Sequence, residues 1–470
     1  MYSKRLNGAA KLLAILLSLM MLVSLAACYG EKTSTEPVSE APAAESAQAS
    51  TPEAAPAEEP AKPVTLAMVT WIQETNQQAI DTLNASFTQK YPNIKITVDT
   101  APANDYPTLL QTRIAAENVD IISNISAFDT LPQDFTKGAD DPAWLTFIKS
   151  GAYLDITGQP FVGNWDPNMI KNAVSYDGKV YGLDMGAVGY NGLFYSKKIF
   201  ADNNLTEPGT WADFENICKT LKAKGINPIT VGAKDSWPLT SVGISGVVGA
   251  NESDFTAFAK GLWTGTRKFN DEQTMKIWNR LDQLLTWMEP NIMSVAYGDA
   301  PGRLIAGKAA MMIDGTWNAG GITALDPSFE FGYFPFPGDT DQKPNQLQGK
   351  YDMQFNIYAK TASKDACLQW MDFLSQKENY APFVSTCGFF PTMPGVTSTS
   401  AFVNSMADKN KNFMPSWEKN IVKPKGVGQY GDGQGFNVNL LKSMGGTVGT
   451  VKELADMAQK DWDTAIAAIK

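Results

Sequence analysis

Val64 to Trp71, VTLAMVTW, is an apolar and β-branched run. After a polar break, Ile80, Leu83 and Phe87 recur at the spacing of one helical face. Ile94-Lys95-Ile96-Thr97-Val98 alternates as a half-buried strand, Tyr106 to Ala116 returns to helical spacing, and Val119-Asp120-Ile121-Ile122 reads as a buried strand. This order of strand, helix, strand, helix, strand predicts an α/β fold with a parallel sheet covered on both faces. In open sheets of this kind, ligands sit beyond the carboxyl ends of the strands. The segments 71–76 and 123–129 are therefore the first places to look for a site.

The pattern changes at Lys179 to Tyr195, a long strand-like stretch broken by Gly186, Gly189 and Gly192. Glycines inside a strand mark bends or close backbone approach. Pro208-Gly209 then stops a loop, and Thr210 with Asp213 three residues on forms the pattern of a capping box. Trp211, Phe214, Ile217 and Leu221 share one face of the helix that follows, and Gly225 closes it. Helical spacing recurs at 272–288, 302–310, 364–376 and 451–469, and 331–336 is an aromatic strand leading into Pro337-Gly338. The chain shows no internal repeat.

The amino terminus has a different pattern. Lys4, Arg5 and Lys11 precede Leu12 to Ala27, an apolar run too short for a comfortable membrane span. A basic start, a short apolar core and small residues before a cleavage point describe a secretory signal, with a short membrane anchor helix as the alternative. Residues 29–62 hold nine Ala, five Pro and seven Glu with no Trp or Phe. Such a segment cannot bury a core and is expected to be a disordered tether. It would span roughly 30 Å as a flexible coil or about 100 Å as polyproline II.

Composition narrows the chemistry. The 470 residues include no histidine, so no Ser-His-Asp or Cys-His nucleophile and no histidine-ligated zinc is possible. A formal charge of -10 argues against nucleic acid as a partner, because phosphate binding needs surplus Lys and Arg. Residues 302–309, GRLIAGKA, almost spell a phosphate-binding loop. Ala309 replaces the hydroxyl that would hold Mg²⁺, however, and the segment reads as helix. The glycines at 428, 431, 433 and 435 do not follow a dinucleotide fingerprint, and no Cys or Asp cluster has metal-ligand spacing, so neither cofactor nor metal is expected. Cys218 falls on an apolar helix face; Cys367 and Cys387 could bridge, which spacing cannot decide.

Two resemblances follow from particular residues. Leu25-Ala26-Ala27-Cys28 resembles the lipobox of bacterial lipoproteins. This implies that Cys28 is acylated and becomes the first mature residue, which would place the protein on the extracytoplasmic face of the membrane of a Gram-positive-type bacterium. Tyr181 to Gly232, with Tyr195-Ser196-Lys197, Pro208-Gly209-Thr210-Trp211 and Leu221-Lys222-Ala223-Lys224-Gly225, resembles family 1 extracellular solute-binding proteins, the capture subunits of ABC importers for sugars. AGKAAMMIDGTW at 306–317, FPFPG at 334–338 and the closing 445–466 segment carry the same likeness. The resemblance implies a two-lobed α/β clamshell, each lobe a parallel-rich sheet flanked by helices, and a chain acting as a monomer beside its permease. On that reading residues 1–27 are the signal and 28–62 the tether. Residues 63–188 plus 335–378 form the first lobe, and 189–334 plus 379–470 the second. Hinges are expected at 188–191, 333–336 and 375–381.

A sugar presents hydroxyl edges and C–H faces, so its receptor needs carboxylates or amides together with aromatic rings. Trp71, Gln73 and Glu74 follow the first strand and offer one of each; Asn124 and Ser126 follow the third. Asp184 is a carboxylate among apolar residues and needs a partner. Trp237, Asp314 and Trp317 lie in segments matching the resemblance, with Trp317 the leading stacking platform, and Asp352 and Tyr430 lie in expected loops. For each of these tryptophans and carboxylates, a core or turn role is the competing reading. A secreted carbohydrate-active enzyme is the rival function, since glycoside hydrolysis needs two carboxylates and no histidine; Glu74, Asp184, Asp314 and Asp352 are its candidates. A sensor or adhesin built on the same clamshell is the third.

Overall fold

The computed structural model describes residues 62–126, 128, 133–339, 346–410 and 413–469. The expected export signal, Cys28 and the tether as far as Ala61 lie outside the described residues. Two mixed sheets organise the chain. The first is built from β1 (Val64–Trp71), β2 (Ile94–Ala101), β3 (Ile121–Ser126), β4 (Leu183–Gly189), and two strands that return later. The second contains β5 (Gly192–Ser196), β6 (Ile229–Thr230), β7 (Met311–Asp314) and β8 (Phe331–Pro335). The returning strands of the first sheet are β9 (Gln348–Ile357) and β10 (Met414–Pro415).

In the first sheet β1 lies parallel to both β2 and β3, as the strand-helix alternation predicts. β9 runs antiparallel between β3 and β4, and β10 pairs parallel with its first residues. The second sheet has the order β8-β5-β7-β6, and only β6 and β7 are parallel. A parallel-rich second sheet was expected; it is mainly antiparallel, because the central strand β5 runs opposite to both of its neighbours, β7 and β8.

Helices α1 (Glu74–Lys90) and α2 (Tyr106–Ala115) cover the first sheet, and α3 (Ala143–Lys149) follows β3. α4 (Trp211–Ala223) opens on the expected capping box: the Thr210 hydroxyl accepts from the Asp213 amide and the Asp213 carboxylate accepts from the Thr210 amide. Its buried face is Trp211, Phe214, Ile217, Cys218 and Leu221, and Gly225 ends it at φ +75°. The expected helix at 302–310 is shorter, Ala300–Ile305, and is closed by Gly307 at φ +67°. Cys218, Cys367 and Cys387 are each buried and unbridged, so 367 and 387 do not pair. Among the described residues no helix is long and apolar enough to cross a membrane.

The chain passes between sheets at Tyr190-Asn191, just where the glycine-broken stretch falls. It returns between β8 and β9, a passage that includes the undescribed residues 340–345. The buried Asn191 joins these two passages. Its side-chain nitrogen donates to the Gln346 carbonyl at 3.1 Å, and its side-chain oxygen accepts from the Gln348 amide at 3.0 Å. Its own carbonyl accepts from the Phe336 amide at 2.8 Å. No passage occurs at 375–381. α5 (Lys364–Leu374) and α6 (Lys377–Cys387) both belong to the first sheet's side, where α6 packs on α1 and Tyr380 donates to the Met185 carbonyl. Phe390 still bridges to Ala187 of β4, whereas the Phe402 ring packs on Phe194 and Phe331 of the second sheet. The chain therefore reaches the second sheet between residues 390 and 402, and comes back to the edge of the first at β10.

Candidate functional site

Carboxyl ends of strands from both sheets converge on one cavity of about 480 Å³. β1 delivers Trp71, Ile72 and Gln73, and the turn after β2 delivers Asn104. From the second sheet, the segment after β6 delivers Asp235 and Trp237, and the turn after β7 delivers Trp317. Tyr190 enters from the first passage between sheets, Lys350 and Asp352 from β9, Tyr297 from a short helical turn, and Glu418 from the turn after β10.

An aromatic wall forms on the second sheet's side. The Trp237 ring centroid lies 4.7 Å from Tyr297 and 6.1 Å from Trp317, and Trp317 lies 5.3 Å from Tyr190. The Trp317 indole nitrogen donates to the Tyr297 hydroxyl at 2.7 Å. Glycine at 315 has a direct cause here, since a Cβ on it would lie 1.7 Å from the Trp317 ring. The ring thus packs against that backbone and leaves no room for a side chain at 315. Trp317 is only 5 % exposed, while Trp237 is partly exposed and turns more of its surface to the cavity.

Asp314 holds this turn rather than lining the cavity. Its carboxylate accepts from the Gly315 amide at 2.8 Å and the Asn318 side chain at 2.7 Å, and it is also bonded to Tyr297. Burial pushes its pKa up to about 7, against those hydrogen bonds, which pull it down. Asp184 is likewise buried off the cavity. One of its oxygens accepts from the Gly186 amide, and the other has no partner. Burial, then the Asp352 charge, hold its pKa well above the ordinary carboxylate range.

Asp352 does line the cavity, though not from a loop. It sits mid-strand in β9, whose alternation of Gln348, Lys350, Asp352, Gln354 and Asn356 with less polar residues went unread as a strand. Burial raises its pKa, and Lys350, 3.2 Å away, opposes that rise. The Lys350 ammonium also lies 5.1 Å from the Tyr190 ring centre. The Tyr190 hydroxyl bonds to Ser241 and Glu418, and its pKa is raised first by burial.

Of the other expected residues, Trp71 and Gln73 line the cavity, but Glu74, the first residue of α1, is exposed and does not. Asn124 is a strand residue, since β3 extends to Ser126. Its side chain donates to the Tyr153 hydroxyl and to Asn356, which turns it away from this cavity. Ser126 pairs with Asp352 in the sheet. Tyr430 stays against the closing helix, its amide donating to Asp461. Asp352 is thus the one member of the expected carboxylate set that reaches the cavity wall.

Tyr190, Asp235, Tyr297, Lys350 and Glu418 were not anticipated. Tyr190 carried a signal, an aromatic residue between Gly189 and Gly192, and Asp235 stands two residues before Trp237. Tyr297 and Glu418 carried none, because their short turns reach the cavity only through tertiary packing.

A model described as bacterial extracellular solute-binding protein matches residues 82–412. A multiple sugar-binding protein of Streptococcus mutans serotype c is 24% identical over 334 residues, covering 70% of this chain and 73% of that protein. The raffinose complex of RafE, a protein known from Streptococcus pneumoniae, has a TM-score of 0.67 at 18% identity, over 85% of this chain and 99% of that one. The bacterial solute receptor AcbH, with a stated preference for β-D-galactopyranose, has a TM-score of 0.70 at 14% identity, over 87% of this chain and 100% of that one. These structures share the two-lobed α/β fold.

Proposed function

Because the chain belongs to the bacterial extracellular solute-binding protein family, we propose that it is the receptor of an ABC importer and that its solute is a neutral sugar or oligosaccharide. The carrying observation is the cavity between the two sheets, with Trp71 on one side and Trp237, Tyr297 and Trp317 on the other. Aromatic rings suit the C–H faces of a sugar, and Gln73, Asn104 and the carboxylates suit its hydroxyls. Among the described residues, Asp235, Asp352 and Glu418 share the wall with a single lysine, Lys350, which disfavours an anionic solute. The name of the Streptococcus mutans relative and the raffinose complex support the same class.

Capture works by differential contact. A sugar that touches walls from both sheets favours the arrangement in which those walls are close, and the passages joined by Asn191 are where the backbone must rotate. The permease then recognises the sugar-bound form. No step breaks a bond, so the protein is a binding subunit rather than an enzyme. Acylation at Cys28 would hold it on the outer face of the membrane, with the 28–62 segment as its tether.

A thermal-shift and calorimetric screen against neutral, amino and acidic sugars tests this reading. Saturable stabilisation by a neutral sugar is expected. Stabilisation by acidic sugars alone, or release of reducing ends during incubation, would overturn it. For the anchor, Cys28→Ser should abolish labelling by a palmitate analogue; labelling that persists would reject acylation at that residue.

A further inference from the structure

The wall that β1 and β2 bring to the main cavity differs from the rest of its lining. These strands pair in parallel with Trp71 opposite Ala101, and the Ile72 amide donates to the Ala101 carbonyl at 2.8 Å. The segments that leave them therefore lie side by side. Together they supply Trp71, Ile72, Gln73, Pro102, Ala103 and Asn104, with no charged side chain among them. Asp235, Lys350, Asp352 and Glu418 reach the cavity from other segments. Ile125, near the end of β3, extends the aliphatic part of this wall.

Ile72 is the unusual member. It is 52 % exposed, and with Leu325 and Met457 it is one of three large apolar side chains left so open among the described residues. Of the three it is the one that lines the main cavity. A lone exposed apolar residue needs no explanation, but one that shares a cavity wall with Pro102, Ala103 and Ile125 marks a contact for an apolar group. Gln73 stands at the N-cap of α1 with an extended backbone, yet its side chain makes no capping bond. Short polar side chains are preferred at that position because they can bond the first turn. Gln73 lines the cavity instead, partly exposed, and so does the exposed Asn104. Each of these carboxamides both donates and accepts. Open aliphatic carbon beside two accessible carboxamides fits a group that is itself part methyl and part amide. A bare hydroxyl would leave the aliphatic surface unmatched.

We propose that the captured sugar carries an acetamido group, its methyl against Ile72, Pro102 and Ala103 and its amide bonded to Gln73 and Asn104. The solute is then an N-acetylated amino sugar, or an oligosaccharide that contains one, and it is neutral. The inference rests on the sugar-receptor reading and names the class of sugar. Its test is calorimetry with matched pairs: chitotriose against cellotriose, N-acetylglucosamine against glucose, and N-acetylgalactosamine against galactose, with raffinose as a sugar lacking the group. Within each pair the sugars differ only at the second carbon, by acetamido or hydroxyl. The wild-type protein is expected to bind the acetylated member of at least one pair about tenfold more tightly, from one buried methyl and one amide hydrogen bond. Ile72→Ser should shrink that ratio about fourfold, and Gln73→Ala by a similar factor. Ile72→Ser replaces an exposed side chain, so its melting temperature should match the native one. Equal affinities within every pair, tighter binding of the hydroxyl members, or binding of raffinose alone would overturn the acetamido assignment while leaving the receptor standing. A ratio that neither variant changes would do the same for this wall. If none of these sugars binds but the thermal-shift screen finds another neutral sugar, only the acetamido assignment falls; if that screen finds none, the receptor reading falls with it.

Discussion

Trp317→Ala and Trp237→Ala separate packing from sugar contact on the same wall. Trp317 is 5 % exposed, lies on the Gly315 backbone, touches Tyr190 and Trp237, and donates to Tyr297. Truncating a buried tryptophan costs about 3–5 kcal/mol through lost contact and the cavity left behind. The Tyr297 hydroxyl loses its donor as well, which adds about 1 kcal/mol. Trp237 is partly exposed to the cavity, so its truncation should cost much less stability. What it removes is an aromatic face for the sugar, worth about 1 kcal/mol or roughly fivefold in affinity. Urea unfolding of each variant, with calorimetric titration of the best sugar from the screen, reads both quantities. Trp317→Ala should move the unfolding midpoint strongly, and Trp237→Ala should move affinity with little change in midpoint. The reasoning fails if Trp317→Ala leaves stability unchanged, or if Trp237→Ala binds sugar as the native protein does.

The same turn makes two further predictions. Gly315 has φ -90°, which alanine adopts freely, so Gly315→Ala acts only through its Cβ, 1.7 Å from the Trp317 ring. It should displace the ring, alter the tryptophan fluorescence and weaken sugar binding at least fivefold; unaltered fluorescence and affinity would contradict that packing. Asp314 has its pKa raised from 3.8 to about 7, so the folded state keeps a proton that the unfolded state releases. Its contribution is full below about pH 4 and is lost as pH rises through 7, an effect on the order of 4 kcal/mol. Asp184 and Asp352, also raised by burial, act in the same direction. Chemical unfolding at pH 5 and pH 8 checks this, with stability expected to fall and Asp314→Asn expected to flatten the fall; stability that rises across that interval would refute it. Finally, Arg303 makes two bonds to the buried Glu289 carboxylate, so Arg303→Ala should destabilise by about 3–5 kcal/mol, measured by urea unfolding, by stranding that charge. A loss below about 1 kcal/mol would indicate that water or Thr230 suffices for Glu289.

Local signals settled a good part of the architecture. Periodicity set β1, α1, β2 and α2 because each buries one face over several residues, and that pattern needs no knowledge of partners. Thr210, Asp213 and Gly225 bounded α4 for a similar reason: caps are made within a few residues of one another. Glycines 189 and 192 located the first passage between sheets. Trp71 and Gln73 were legible as cavity-lining residues because they follow a strand end that can be read, whereas Trp237 and Trp317 were reached through the family resemblance.

Only the tertiary structure could decide the rest. β9 pairs with β3 and β4, which lie more than 150 residues earlier in the chain, so its polar face became buried by neighbours that no local window contains. That one strand turned Asp352 from a loop residue into a wall of the cavity. The third passage moved from 375–381 to beyond 390 because α6 gains more by packing on α1 than any turn signal reveals. Asp184 was marked as a carboxylate in need of a partner and Asp314 as either a site or a turn residue, yet whether their partners were backbone or ligand was a matter of burial in three dimensions. The sequence by itself determined the elements whose signals are local, β1, α1, β2, α2 and α4, and the chemistry their residues carry. Which of those groups meet across the cavity was decided by long-range pairing, since side chains far apart in the chain come together only when the sheets form.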